Sequence, residues 1–145
     1  MAGKSLVAKV IEDQYFAVLS SVANNRPYNN LVAFASTEDF KSLIFATGRA
    51  TAKFARIKNN NHVSLLIDNR TNQPSDISQA IAIAALGIAI ELLENEEHFK
   101  VLFIRRHPQL SNFIQEPGVA LVMVKVSEYI IARFSHTEHL LPREL

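Results

Sequence analysis

The stretch Leu43-Ile-Phe-Ala-Thr-Gly-Arg-Ala-Thr-Ala-Lys-Phe-Ala-Arg-Ile-Lys-Asn-Asn-Asn-His-Val-Ser-Leu-Leu-Ile-Asp68 constrains the fold more than any other part of the chain. It opens with an apolar, β-rich run that stops at Thr47-Gly48. A short segment follows in which Ala52, Phe54, Ala55 and Ile57 lie between Lys53, Arg56 and Lys58, and Asn59-Asn60-Asn61 ends it. The pattern predicts a strand over Ser42–Ala46, a short helix over residues 50–58 and a second strand over His62–Asp68. Where a strand turns into a helix start, free N–H groups and the positive end of the helix dipole converge on one spot. Arg49, Thr51 and Lys53 stand there and add charge and a hydroxyl, so the segment is a candidate anion site. The plain alternative is a helix N-terminus with a solvated charged face, and periodicity alone leaves it open.

The neighbouring segments extend the β reading. Tyr15 to Val22 is rich in β-formers, and Ala23-Asn24-Asn25-Arg26-Pro27 reads as a turn because asparagine tolerates left-handed geometry. Asn30 to Ala35 is a further strand, with the polar turn Ser36–Asp39 after it, and the succession predicts an antiparallel meander. Residues 79–93 are ambiguous. Ile81 and Ile83 alternate with Ala82 and Ala84, whereas Leu86, Ile88 and Ile90 alternate in the opposite phase. One extra residue near Ala84-Ala85 accounts for the switch if this is a long bent strand with a β-bulge. A helix is the alternative, because alanine and leucine favour it, but period two on each side of the slip favours the strand. Val119 to Val126 and Tyr129 to Phe134 read as two last strands. Helices are expected over residues 4–12, over Asn95–His107 with Asn95 as its cap, and over Pro108–Gln115. Many antiparallel strands with a few helices predict a mainly β, α+β chain, a closed or split barrel with peripheral helices.

Bulk properties narrow the function classes. A chain of 145 residues with 48% hydrophobic content and only nine Gly and Pro residues is expected to be one ordered domain over 1–145 with a real core. Fifteen basic against 14 acidic residues leave a net charge of +1, which argues against nucleic acid as a partner. Cysteine is absent, so disulfides, thiol catalysis and zinc–thiolate sites are excluded. The most apolar run, Ala80 to Ile90, is short of the ~20 residues of a membrane helix, and the charged N-terminus (Lys4, Lys9, Glu12) lacks a signal-peptide core. The expectation is a cytoplasmic protein without membrane partners.

Two stretches, Phe45-Ala-Thr-Gly-Arg-Ala-Thr-Ala-Lys53 and Ile57-Lys-Asn-Asn-Asn-His-Val-Ser-Leu-Leu66, carry a family resemblance. With the order of elements from Tyr15 to Phe134, the chain resembles the pyridoxamine 5′-phosphate oxidase-like family of FMN-binding split β-barrels. The resemblance implies that Thr47 contacts the flavin or its ribityl chain, that Thr51 replaces a serine at the phosphate and that Lys53 is the phosphate lysine. Ala52 falls where many members carry arginine, and Arg49 is the nearby guanidinium that would replace it. The preceding strand, Pro27-Tyr-Asn-Asn-Leu-Val-Ala-Phe34, has no cation. Asn29, Asn30 and Leu31, with Ala46 at the neighbouring strand end, would therefore meet the flavin ring through backbone groups and amides. The family further implies a homodimer with the cofactor at the subunit interface, an oxidoreductase activity and a small-molecule redox partner. The chain has no tryptophan, and Arg133-Phe-Ser-His-Thr-Glu-His139 does not reproduce the oxidase's C-terminal substrate residues, so oxidation of pyridoxamine phosphate itself is not implied.

Other readings compete. A non-enzymatic flavin carrier, or a related barrel using deazaflavin or haem, or none, shares the same motifs. His136 and His139 are spaced like metal ligands, but no further ligand clusters with them and a polar tail is the simpler reading, so no metal is expected. Arg105-Arg106-His107-Pro108 suits a helix C-terminus.

Overall fold

The computed structural model describes residues 2–145. The elements in chain order are α1 (Ala2–Asp13), β1 (Phe16–Ala23), β2 (Arg26–Ser36), β3 (Ser42–Gly48), α2 (Ala52–Asn59), β4 (His62–Asp68), α3 (Asp76–Gln79), β5 (Ala82–Glu91), α4 (Glu96–Arg106), α5 (Ser111–Ile114), β6 (Val119–Ala132) and β7 (Thr137–Leu140). Two antiparallel meanders, β1-β2-β3 and β4-β5-β6-β7, meet along β1–β4 and β3–β6. Six strands thereby close into the expected antiparallel barrel.

Closure is uneven, and this unevenness makes the split. β3 pairs with β6 along its whole length, Ser42 to Gly48, but with β2 only over Leu43–Phe45 against Phe34–Ser36. The early part of β2, which pairs with β1 through the two-residue Asn24-Asn25 turn, therefore runs free of β3. Both turn asparagines have positive φ (52° and 61°), the geometry a tight hairpin needs.

Alternation along the strands builds two apolar layers. Inward residues such as Leu19, Phe34, Leu43, Phe45, Leu65, Ile83 and Val122 form the interior, joined by Val7, Val10 and Ile11 of α1 and Phe54 and Ile57 of α2. On the outside, Phe99, Leu102 and Phe103 of α4 cover Ala35, Ile44, Leu121 and Met123. His107, just after α4, is buried and its Nε2 lies 2.7 Å from the Phe34 carbonyl oxygen. A carbonyl only accepts, so Nε2 carries the proton. The Arg106 Nη2 donates to the carbonyls of Glu12 (2.6 Å) and Gln14 (2.9 Å), which ties the C-terminus of α4 to the α1–β1 link.

Some details differ from the sequence reading. β5 runs without a slip: Ile83, Ala85, Gly87 and Ala89 all face inward, and Ala84, Leu86, Ile88 and Ile90 outward. The phase switch records a change in which face carries bulk, not an inserted residue. The register shift lies at Leu86/Gly87, and the extra residue is Ser127 of β6, since Leu86 pairs with Glu128 and Gly87 with Val126. That bulge lets one continuous strand, β6, replace the two expected there. β7 pairs with Tyr129–Ala132 where a polar tail was expected, and its His139 contacts Glu128 at 3.1 Å. No group of three metal-ligating residues occurs among the described residues. Finally, Asn95 stands before α4 in left-handed geometry (φ 57°) and makes no side-chain cap bond.

Tyr129 anchors the β2–β3 turn. Its buried hydroxyl donates to the Phe40 carbonyl at 2.7 Å, and Phe40 holds an unfavourable φ of 58°. Burial, and then the nearby Asp39 charge, push the phenol pKa up from its ordinary value, so the group stays a neutral donor. Replacing Tyr129 by phenylalanine is expected to cost about 1–3 kcal/mol, the range for orphaning a buried partner. Because the unfolded tyrosine ionises first, wild-type stability should also fall as pH rises above 10.0. Denaturant melts from pH 8 to 11 check both points. A variant as stable as wild type, with the same alkaline slope, would show that the clamp contributes nothing.

Candidate functional site

Helix α2 packs on β1 and β3, and three of the candidate residues, Thr47, Thr51 and Lys53, meet at its start. Beyond Gly48 the Arg49 N–H makes one more in-register bond to β6's side, to the Gly118 carbonyl (2.8 Å), and the chain then turns, with Thr51 N–H returning to the Gly48 carbonyl (3.2 Å). Thr51 is the N-cap of α2, accepting from the Phe54 N–H at 3.2 Å. Its hydroxyl donates back to the Gly48 carbonyl at 2.8 Å. Thr47, almost fully buried, lies 3.1 Å from the Thr51 hydroxyl and accepts from Lys53 Nζ at 2.9 Å. Since the Thr51 proton is committed to Gly48, the Thr47 hydroxyl donates to Thr51. In this arrangement the hydroxyls position Lys53 and the turn. The backbone N–H groups of Ala52 and Lys53 have no hydrogen-bond partner among the described residues, as expected in a first helical turn.

Arg56 follows Lys53 at i+3, one turn along the same helix face. Its Nε donates to the buried Ser21 hydroxyl (3.0 Å), its Nη2 donates to Asn30 Oδ1 (2.9 Å), and its guanidinium lies 4.2 Å from the Tyr28 ring centroid. This spans the split: α2 is bound to β1 and β2 through one side chain. Burial, and then the Arg56 charge, lower the Lys53 pKa. Among the described residues, neither cation has a carboxylate within ion-pair distance. Two uncompensated cations beside free N–H groups form a site that an anion would relieve on every count.

The other expected residues separate. Arg49 is held elsewhere, its Nε on Glu91 Oε1 at 3.0 Å and its Nη1 on the carbonyls of Pro117 (2.7 Å) and Val119 (3.1 Å). It secures the β3 end to the β5 and β6 ends and makes no bond to Thr47, Thr51 or Lys53. Asn29 faces outward, accepting from the Ser20 hydroxyl at 2.6 Å, while Asn30 faces α2. Leu31 is 71% exposed on the outer face, and Ala46 lies under the outer apolar layer.

A sequence model of the pyridoxamine 5′-phosphate oxidase family matches residues 4–126. The chain belongs to the pyridoxamine 5′-phosphate oxidase family. Solved structures repeat its fold. General stress protein 26 from Bacillus anthracis is 24% identical, aligned over 97% of this chain and 99% of that one with a TM-score of 0.73. A haem-binding protein from Mycobacterium smegmatis is 8% identical with a TM-score of 0.83, and the chain spans 59% of its length while 97% of this chain is covered. An FAD-binding protein from Mesorhizobium loti is 18% identical, over 84% of this chain and 88% of that one, with a TM-score of 0.62. No curated protein sequence matches significantly.

Within this pyridoxamine 5′-phosphate oxidase family chain, sequence reasoning chose Lys53, Thr47 and Thr51 from a short motif and passed over Arg56, Tyr28 and Ser21. The i+3 spacing from Lys53 was the available signal for Arg56. Two clefts lie elsewhere. One of about 860 Å³ is lined by Lys41, Phe99, Lys125 and Arg143, and one of about 600 Å³ by Phe34, Phe40, Leu102 and Arg105. Neither is lined by Thr47, Thr51, Lys53 or Arg56.

Proposed function

We propose that the chain is an FMN-binding flavoprotein, an oxidoreductase that acts as a homodimer with the cofactor between subunits. One observation carries the reading: Lys53, in the first turn of α2 with its free N–H groups, and Arg56, one turn on, both lack a carboxylate partner among the described residues of a pyridoxamine 5′-phosphate oxidase-family barrel. The residues present suit a phosphate monoester, whose dianion matches two cations and backbone donors. The isoalloxazine ring would supply the redox chemistry. This chain's part is to fix the phosphate at Lys53, to hold Asn30 and the Thr47 end of β3 in place and to exclude water. Arg49 braces the turn from outside.

The dimer reading rests on the outer face of the barrel. Leu31, Val18, Leu66, Ala84 and Ile130 stand in register across β2, β1, β4, β5 and β6, giving a continuous apolar row outside the cluster that α4 covers. With exposed Phe16 and Leu31 it forms a patch of the kind that marks an interface. A second subunit docked there would cover the outer face of β2, the strand whose Asn30 reaches Arg56 on its other face. No helix among the described residues is long and apolar enough to cross a membrane. A cytoplasmic, single-domain protein remains the expectation that goes with this reading.

The test is an absorbance spectrum of the purified protein, followed by turnover of reduced nicotinamide with an electron acceptor and by sedimentation. The expected results are flavin bands, turnover that requires FMN, and a dimer. A Soret band in place of flavin bands would assign haem. Flavin without turnover would make the protein a carrier.

A further inference from the structure

We infer that Arg56 is the second anion-binding cation of this chain and that it makes the site discriminate a phosphate-bearing ligand from its dephosphorylated form. The inference takes its ligand class from the flavin reading. Its physical basis is local. An arginine has five N–H donors, and here Ser21 and Asn30 engage two of them, leaving three free among the described residues. Those two bonds and the Tyr28 ring hold the guanidinium at fixed orientation, so little side-chain entropy remains to be lost when a ligand binds. Ser21 is fully buried, so the anchor is part of the folded barrel and not a surface contact.

Alternatives for the second cation fail on geometry. Position 52 is alanine, and the Arg49 guanidinium is committed to Glu91 and the carbonyls of Pro117 and Val119. Lys58 lies 5.7 Å from the Phe54 ring centroid and makes no bond to Lys53, Thr47 or Thr51 among the described residues. Two cations on one face of a short helix, with no carboxylate to neutralise either, repel each other unless an anion joins them. A planar guanidinium engages a phosphate in bidentate fashion, whereas Lys53 acts as a point charge, so the pair reads both charge and shape.

The experiment compares FMN and riboflavin by fluorescence titration of the wild-type protein and of Arg56→Ala, Arg56→Lys and Lys58→Ala, with melts to confirm folding, and adds inorganic phosphate followed by ³¹P line broadening. Arg56→Ala should weaken FMN about 10- to 100-fold and leave riboflavin unchanged, a ratio that a merely structural role would not alter. Arg56→Lys should recover part of that loss, and Lys58→Ala, at a cation outside the cluster, should bind FMN like wild type. Restoring an arginine with Ala52→Arg in the Arg56→Ala background should regain FMN affinity. If Arg56→Ala binds FMN as wild type does, the Arg56 assignment falls and the flavin reading stands. If no form binds flavin but the phosphate signal depends on Arg56, the flavin reading falls and the anion-binding role stands. If neither flavin nor phosphate binds the wild type, both fall.

Discussion

Replacing Gly87 by alanine should cost about 3–5 kcal/mol and lower Tm by roughly 10 °C. A Cβ at this position would stand 2.2 Å from the Lys125 carbonyl oxygen and 2.9 Å from Val124 Cγ1, distances no packed pair tolerates. The obstacle is backbone, so it cannot swing aside as the end of a long side chain would. The approach is close because β6 carries its extra residue, Ser127, beside this pair, and the Ser127 hydroxyl donates to the Leu86 carbonyl at 3.0 Å to hold the bulge. Glycine in a strand interior commonly marks such an approach. Gly118 is the control, because a Cβ there meets nothing within 4 Å. Gly118→Ala should change stability by less than about 0.5 kcal/mol. Thermal melts of both variants decide the point. A Gly87→Ala protein that melts with wild type would mean that β5 and β6 are farther apart at the bulge than described.

The second large effect concerns binding. Thr51→Ala combined with Lys53→Ala should weaken FMN about 100-fold or more, with riboflavin little changed. Lys53 supplies the charge. Thr51 shapes the turn that aims the free N–H groups, since it both caps α2 and bonds the Gly48 carbonyl. Losing that cap should also cost about 1 kcal/mol of stability, which the Thr51→Ala single variant measures separately. Burial and the Arg56 charge hold the Lys53 pKa below its ordinary value. A bound phosphate would raise it again, so binding at alkaline pH should take up protons. Calorimetry in buffers of different ionisation enthalpy reads that uptake. Unchanged affinity in the double variant would place the phosphate elsewhere.

The strand–turn–helix–strand order around Thr47 was legible because each boundary has a local cause: Thr47-Gly48 stops a strand, Thr51 caps a helix and the asparagine run ends it. β4 was read to the residue, since its near-continuous apolar run is bounded by Asn59-Asn60-Asn61 and Asp68. The bulge was felt in sequence but assigned to the wrong strand. Hydrophobic phase reports which face needs bulk, and β5 changes faces of bulk without changing phase, while the inserted residue lies 40 positions away in its partner. β7 was missed because its residues are exposed and polar and gain strand geometry only by pairing with β6. In the site, proximity along the chain favoured Arg49 over Arg56. Pairing across β3, β5 and β6 draws Arg49 outward, and helix periodicity carries Arg56 back beside Lys53.

The most direct measurement of the central claim is FMN titration of the purified wild-type protein, followed by quenching of flavin fluorescence and by the visible spectrum. The account predicts saturable binding of one FMN per chain, with riboflavin bound at least about tenfold more weakly because the phosphate contacts are lost. A protein that remains colourless and leaves FMN fluorescence unquenched at saturating concentrations would contradict it.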